Sequence, residues 1–257
     1  MFKILAGLTI LAAVLGGLIL KAAPVEEASA KTSAESDVYD SEILAASLQI
    51  SMQALLEGEP VIANGLGTLI QGQDETLIVT HNHWGAVLQD TSMIEFRDAH
   101  NTLLVRTMGI EFNQLVRYQD QGTLILAAPA ALLEKVPASA PLAAVNVDQL
   151  PEGTVVQVAY RQPGQRVTIT LQAAEVEQQC LCSGIPGLHL RSLDGQPLQK
   201  GDSGGGVFLN GALVANNWVS VTADTPEEIA GAGALLQVGD IIYTDQSYAA
   251  SLPAGQP

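Results

Sequence analysis

The stretch LQKGDSGGGVFLNGALVANNW, residues 198–218, sets one serine, Ser203, between an aspartate and three glycines, and continues into apolar, strand-like segments. A serine hydroxyl is a weak nucleophile until a neighbouring base takes its proton, and histidine is the usual base near neutral pH. Glycines around such a serine accept positive φ and admit a close backbone approach. Taken alone, the stretch is either a nucleophile loop or a glycine-rich hairpin turn, and the upstream residues decide between the two.

The chain of 257 residues has room for one large domain or two small ones. Its 47% apolar and 15% charged residues are a globular composition. A net charge of −16 with no basic patch argues against nucleic acid or any other polyanion as partner, and fits an acidic, soluble surface. Cys180 and Cys182 are two residues apart and are the only cysteines, so no disulfide framework is expected. With His189 as the only nearby histidine they supply too few ligands for a metal site. No cofactor or metal is expected.

At the N-terminus, Lys3 precedes an uninterrupted apolar run from Ile4 to Leu20, and Ala28-Ser29-Ala30 offers a small-x-small cleavage pattern. Residues 1–30 are therefore a signal peptide or a retained membrane anchor. Both remain open, because the run is close to the minimum span and lysines flank both ends. Either places the remainder outside the cytoplasm, secreted or held at the outer face of the membrane. Residues 31–58 read as a tether followed by an amphipathic helix over 40–57. Leu44, Leu48, Met52, Leu55 and Leu56 recur at helical spacing there, with Gly58 as a stop.

From residue 59 the texture is short strands between turns: GLGTLI, TLIVT, SMIEF, TLLVRTMGIEF and TLILAA, then TVVQVAY, RVTITLQAAEV, GVFL, ALVANNWVSV and ALLQVGDIIYT. An Ala/Pro-rich segment separates the two clusters and holds a short helical pattern near 130–135. The expected architecture is all-β: two six-stranded antiparallel barrels and one N-terminal helix. The first barrel spans 59–135, a connector 136–153 and the second barrel 154–257.

Four histidines are candidates for the base. His100 lies in the hairpin-like RDAHNT, and His189 alternates with leucines in GLHLRS, as a strand-face residue does. His81 and His83 follow an apolar strand in ETLIVTHNHWG, where a side chain is held rigidly yet faces a cleft. Here the chain resembles the chymotrypsin-like serine proteases. VTHNH is similar to the segment carrying their catalytic histidine, and GDSGG to their nucleophile loop. The alignment puts His83, not His81, in the catalytic position. Trp84 falls where animal members carry a disulfide cysteine.

The resemblance implies a third residue, a carboxylate ahead of an apolar strand that orients the imidazole. Asp120 in DQGTLIL fits, with Asp98 in FRDAHN as the rival that reads better as a turn. The order His, Asp, Ser is that of the chymotrypsin-type triad. It would place the site between the two barrels.

The same resemblance assigns the backbone N–H groups of Gly201 and Ser203 to an oxyanion hole. It puts Pro197 at the floor of the primary specificity pocket, and Asn217 and Trp218 near the substrate backbone, with Trp218 equally readable as core packing. Proline at that floor does not select basic residues, so a small or apolar side chain is expected. Asp202 needs a partner, since PVIANGLGTLI lacks the IVGG-like start that animal members free by cleavage. The expected function is an exported serine endopeptidase acting on peptide or protein substrates. Its rivals are an inactive binding or scaffold protein on the same fold and an esterase using the same triad.

Overall fold

The computed structural model describes residues 38–217 and 228–232, less 73, 120, 121, 144, 146, 183, 184 and 194–197. The N-terminal apolar run, Asp120, Pro197, Trp218 and the strand expected at 234–244 lie outside the described residues. Among the described residues no helix is long and apolar enough to cross a membrane.

The described residues begin with α1 (residues 38–46), which passes directly into β1 (Ser47–Leu56). The helix expected over 40–57 therefore ends at residue 46. The reason lies in the spacing itself. Positions four apart, such as Leu44, Leu48 and Met52, satisfy a helical period and an alternating one equally. Ile50 and Ala54 complete the alternation, and Leu48, Ile50, Met52 and Ala54 are all buried while Leu55 is exposed. Gly58 does not cap a helix. Glu57 and Gly58 both have positive φ (54° and 88°) and form the two-residue turn to β2 (Glu59–Gln71).

β3 (Thr76–His81), β4 (Met93–Arg97), β5 (Leu103–Met108), β6 (Val116–Gln119) and β7 (Thr123–Ala127) complete a sheet in the order β5-β4-β1-β2-β3-β7-β6. It is antiparallel throughout. Among the described residues it has seven strands where six are expected, with β1 lying where the spacing predicts helix. The apolar run 102–112 is not one strand either. It breaks at Gly109 into α2 (Gly109–Leu115), where the Glu111 carboxylate accepts the Met108 N–H at 3.2 Å and so caps the first turn.

After α3 (Ala130–Leu133), the connector runs between the two sheets. The Ala140 N–H donates to the Leu69 carbonyl of β2 at 2.8 Å. The Leu213 N–H, from β12 below, donates to the Pro141 carbonyl, also at 2.8 Å.

The second sheet comprises β8 (Val155–Gln162), β9 (Thr168–Cys182), β10 (Ile185–Ser192), β11 (Gly206–Leu209), β12 (Ala212–Asn217) and β13 (Glu228–Ala232). It closes as the expected six-stranded barrel, β10-β13-β12-β11-β8-β9. Asn210 and Gly211, with φ of 50° and 81°, turn β11 into β12. One apolar core runs through both sheets. It includes Leu48, Ile70 and Phe96 on the first side and Val158, Leu190 and Phe208 on the second.

Candidate active site

The loop before β11 is held from both sides by main-chain hydrogen bonds. The Leu66 N–H of β2 donates to the Ser203 carbonyl at 2.8 Å. On the other side the Gly204 N–H donates to the Asn217 carbonyl (2.6 Å), and the Asn217 N–H to the Gly205 carbonyl (2.7 Å). Gly201 and Gly204 have φ of 102° and 89°, a region costly for any residue with a Cβ. At Gly204 space adds a second requirement, because a Cβ would overlap the Leu66 carbonyl oxygen and come within 2.9 Å of the His81 nitrogen. The loop thus presses against the end of β3, where the expected histidine segment begins. Ser203 itself is half-buried.

Asp202 is buried and finds its partners within the chain. One carboxylate oxygen accepts the Arg161 N–H at 2.8 Å, and the other accepts the Gln199 N–H at 2.6 Å. Burial pushes its carboxyl above the usual aspartate range, against the opposing pull of those two N–H groups and of the Arg161 charge. This is the connection for which the sequence offered no cleaved N-terminus.

The two histidines of VTHNH divide. His81 is buried, and its Nδ1 accepts the backbone N–H of His83 at 2.9 Å. That bond puts the ring proton on Nε2, for which no hydrogen-bond partner exists among the described residues. The ring lies 4.1 Å from that of Trp84, and both press on Gly65, where any Cβ would strike them. Burial first, and then the charge of His83, lower the His81 pKa to about 3. His81 is a neutral wall residue that fixes the backbone of His83, while His83 is exposed.

Asp120 lies outside the described residues, but its flank does not. The Gly122 carbonyl accepts the Asn82 N–H at 3.1 Å, and Thr123 pairs with His81 across the β3–β7 ladder. The rival Asp98 is committed to a turn, its Oδ1 accepting the N–H groups of His100 (2.9 Å) and Thr102 (2.7 Å). His100 is exposed at that turn, and His189 lies on β10.

Asn217 has a buried side chain whose Nδ2 donates to the Ala159 carbonyl at 3.3 Å. Together with its two main-chain bonds, this makes it a brace for the Ser203 loop. Its neighbour Asn216 is a site residue that sequence reasoning missed. Its Nδ2 donates to the Thr80 carbonyl (3.2 Å) and its Oδ1 accepts the Thr123 hydroxyl (3.0 Å), so one buried amide ties β12 to β3 and β7. The available signal was a pair of asparagines at the end of the apolar strand ALVANN, where a polar pair needs buried partners. No cluster of three or more metal-ligating side chains occurs among the described residues.

Two outcomes follow from these contacts. Asp202→Ala orphans two N–H groups in a buried loop and is expected to lower stability by about 2–3 kcal/mol, measured by urea unfolding. Asp202→Asn, which keeps an acceptor, is expected to lose less. For His81 the unfolded chain takes up a proton near the ordinary value of 6.5 while the folded chain resists until about 3. The unfolded state therefore binds more protons in that window, and stability falls as the pH drops through it, by about 1.4 kcal/mol per pH unit. Unfolding midpoints between pH 7 and pH 4 are expected to fall less steeply in His81→Asn, and an unchanged slope would count against a buried neutral ring.

No protein-family model and no curated protein sequence matches the chain. Solved structures do. The serine-to-alanine mutant of Rv3671c from M. tuberculosis H37Rv, in its inactive form, aligns at 17% identity over 84% of this chain and 93% of that one, with a TM-score of 0.55. The Rv3671c protease in its active form aligns at 17% identity over 94% of this chain and 96% of that one, with a TM-score of 0.54. The HtrA-type protease AlgW with a tripeptide aligns at 14% identity over 80% of this chain and 62% of that one, with a TM-score of 0.57. With two antiparallel sheets packed around the GDSGG loop, this chain has the chymotrypsin-like fold of the trypsin-like and HtrA-type serine proteases.

Proposed function

We propose that the protein is an exported serine endopeptidase working through an acyl-enzyme. The observation that carries this reading is the clamp on the nucleophile loop. Leu66 binds the Ser203 carbonyl, glycines occupy the positive-φ positions 201 and 204, and the loop lies against Thr80 and His81 at the entry to His83.

In this reading Ser203 Oγ attacks the carbonyl carbon of the scissile peptide bond as the His83 imidazole takes its proton. Asp120 accepts from the other ring nitrogen and stabilises the imidazolium. The N–H groups of Gly201 and Ser203 receive the negative charge on the carbonyl oxygen. His83 then returns its proton to the leaving amine, the C–N bond breaks, and an ester to Ser203 remains. Water repeats the cycle with His83 again as base, releasing the acid and restoring the serine.

His81 supports this sequence from behind, since its bond to the His83 N–H fixes the chain that carries the base. Pro197 and Trp218 belong to the acyl-side pocket in the same reading, which favours a small or apolar residue there. Export rests on residues 1–30, as a cleaved signal or a membrane anchor.

A fluorophosphonate probe tests the reading directly. Folded wild type is expected to label at Ser203, and Ser203→Ala not to label. His83→Ala and Asp120→Asn are expected to lower peptide turnover by about 10³–10⁴-fold. Absence of labelling would favour a non-catalytic binding protein on this fold, and ester cleavage without any peptide cleavage would favour an esterase.

A further inference from the structure

A groove of about 320 Å³ opens beside the nucleophile loop, and its lining includes Gln53, Asn64, Gly65, Glu95, Arg97 and Arg161. Its position relative to Ser203 follows from the clamp. β12 holds residues 203–205 from one side through Asn217, and β2 holds them from the other through Leu66. Asn64 and Gly65 immediately precede Leu66 on β2. The groove is therefore on the side of Ser203 opposite β12, the strand that ends one residue before Trp218, which the proposed function assigns to the acyl side. The half of a peptide that leaves as the amine would run through it.

The charges of the groove are unevenly satisfied. Glu95 is almost fully buried, and both its oxygens are taken, one by Arg97 (2.7 Å) and the other by Arg106 (2.6 Å). Arg161 differs. Its backbone N–H holds Asp202, but its guanidinium makes no ion pair and no hydrogen bond among the described residues. The guanidinium lies over the Cα of Gly201, where an added Cβ would collide with Nη1. It is thus a cation with no ion-pair or hydrogen-bond partner among the described residues, next to the expected oxyanion donor and on the lining of the groove, with its charge felt by the buried Asp202. In a chain with 27 acidic and 11 basic side chains, two arginines facing one groove is an uneven placement of scarce positive charge.

We infer that this groove is a leaving-group-side subsite in which Arg161 receives a substrate carboxylate. The inference rests on the endopeptidase reading for its role, though not for its chemistry. A guanidinium and a carboxylate meet in a two-pronged, charge-assisted pair, stronger than a neutral hydrogen bond. The carboxylate is either an Asp or Glu side chain shortly after the scissile bond or the C-terminus of a short substrate. Side-chain replacement at 161 leaves the backbone bond to Asp202 available, so the cation can be removed without cutting that support.

The test is binding to the full-length Ser203→Ala protein, which does not require turnover. Three probes are titrated by NMR at low and high salt: Ala-Glu-Glu-Ala amide, Ala-Gln-Gln-Ala amide, and Ala-Gln-Gln-Ala with a free C-terminus. The acidic amide is expected to bind about tenfold more tightly than the neutral one, with the gap narrowing as salt rises. Arg161→Gln on the same background is expected to bring the ratio below about two. Tighter binding of the free-C-terminus probe alone would assign the subsite to a terminal carboxylate, and of the acidic amide to a side chain. Equal binding of all three overturns the inference, as does an Arg161→Gln variant that weakens acidic and neutral probes alike. Ser203 labelling in the wild type is read separately, so a failed subsite and a failed protease reading give different results.

Discussion

The main chain of Leu66 is the point on which the site depends. Its N–H holds the Ser203 carbonyl, and its own carbonyl accepts the Thr80 hydroxyl at 2.5 Å. One residue of the first sheet therefore fixes both the Ser203 loop and the end of the strand leading to His83. The same carbonyl leaves no room for a Cβ at residue 204. The glycine after Ser203 is thus required by how closely the two sheets meet as well as by its own φ. Asn216 repeats the device one layer deeper, bonding the Thr80 carbonyl and the Thr123 hydroxyl. Because these partners are buried and satisfied, the geometry is set by folding and not by a ligand.

Trp84 packs beside the histidine segment. Its ring and that of His81 fill the space against Gly65, so aromatic packing joins the histidine loop to β2. This arrangement requires a neutral histidine. A protonated His81 would place a charge in a site without a hydrogen-bond partner for Nε2 among the described residues, beside a second histidine. His81 and His83 are two residues apart on one strand end, yet their environments push them toward different roles. The buried one is a fixed acceptor, and the other is exposed.

Much of this was legible in the sequence wherever a local pattern had one physical solution. Two strand clusters separated by an Ala/Pro connector gave two antiparallel sheets, and GDSGG marked a loop whose glycines adopt positive φ. The reading failed where a pattern admitted two solutions. Leucines four apart fit helix and strand alike, and only the intervening Ile50 and Ala54 distinguish β1 from the extension of α1. It failed also where the information is long-range. Nothing near residue 216 reveals that its amide will meet residues 80 and 123, and nothing near 161 reveals that it will meet 201 and 202. Those contacts exist only after both sheets have formed.

Arg161 joins two requirements that are separate in chemistry. Its N–H offsets part of the cost of burying Asp202, and its guanidinium lies over Gly201, the residue before Asp202. Asp202 is thereby tied to β8 and to Gln199 of its own loop. The same geometry keeps a positive charge near the nitrogen expected to face a developing oxyanion. A cation so placed favours negative charge on the carbonyl oxygen at long range, even before any substrate carboxylate reaches it. A carboxylate bound there would neutralise that field while anchoring the leaving half of the substrate. In the proposed reading, binding and chemical acceleration pull in opposite directions at Arg161, and a substrate with no carboxylate in the groove leaves the full field of the guanidinium on the carbonyl oxygen.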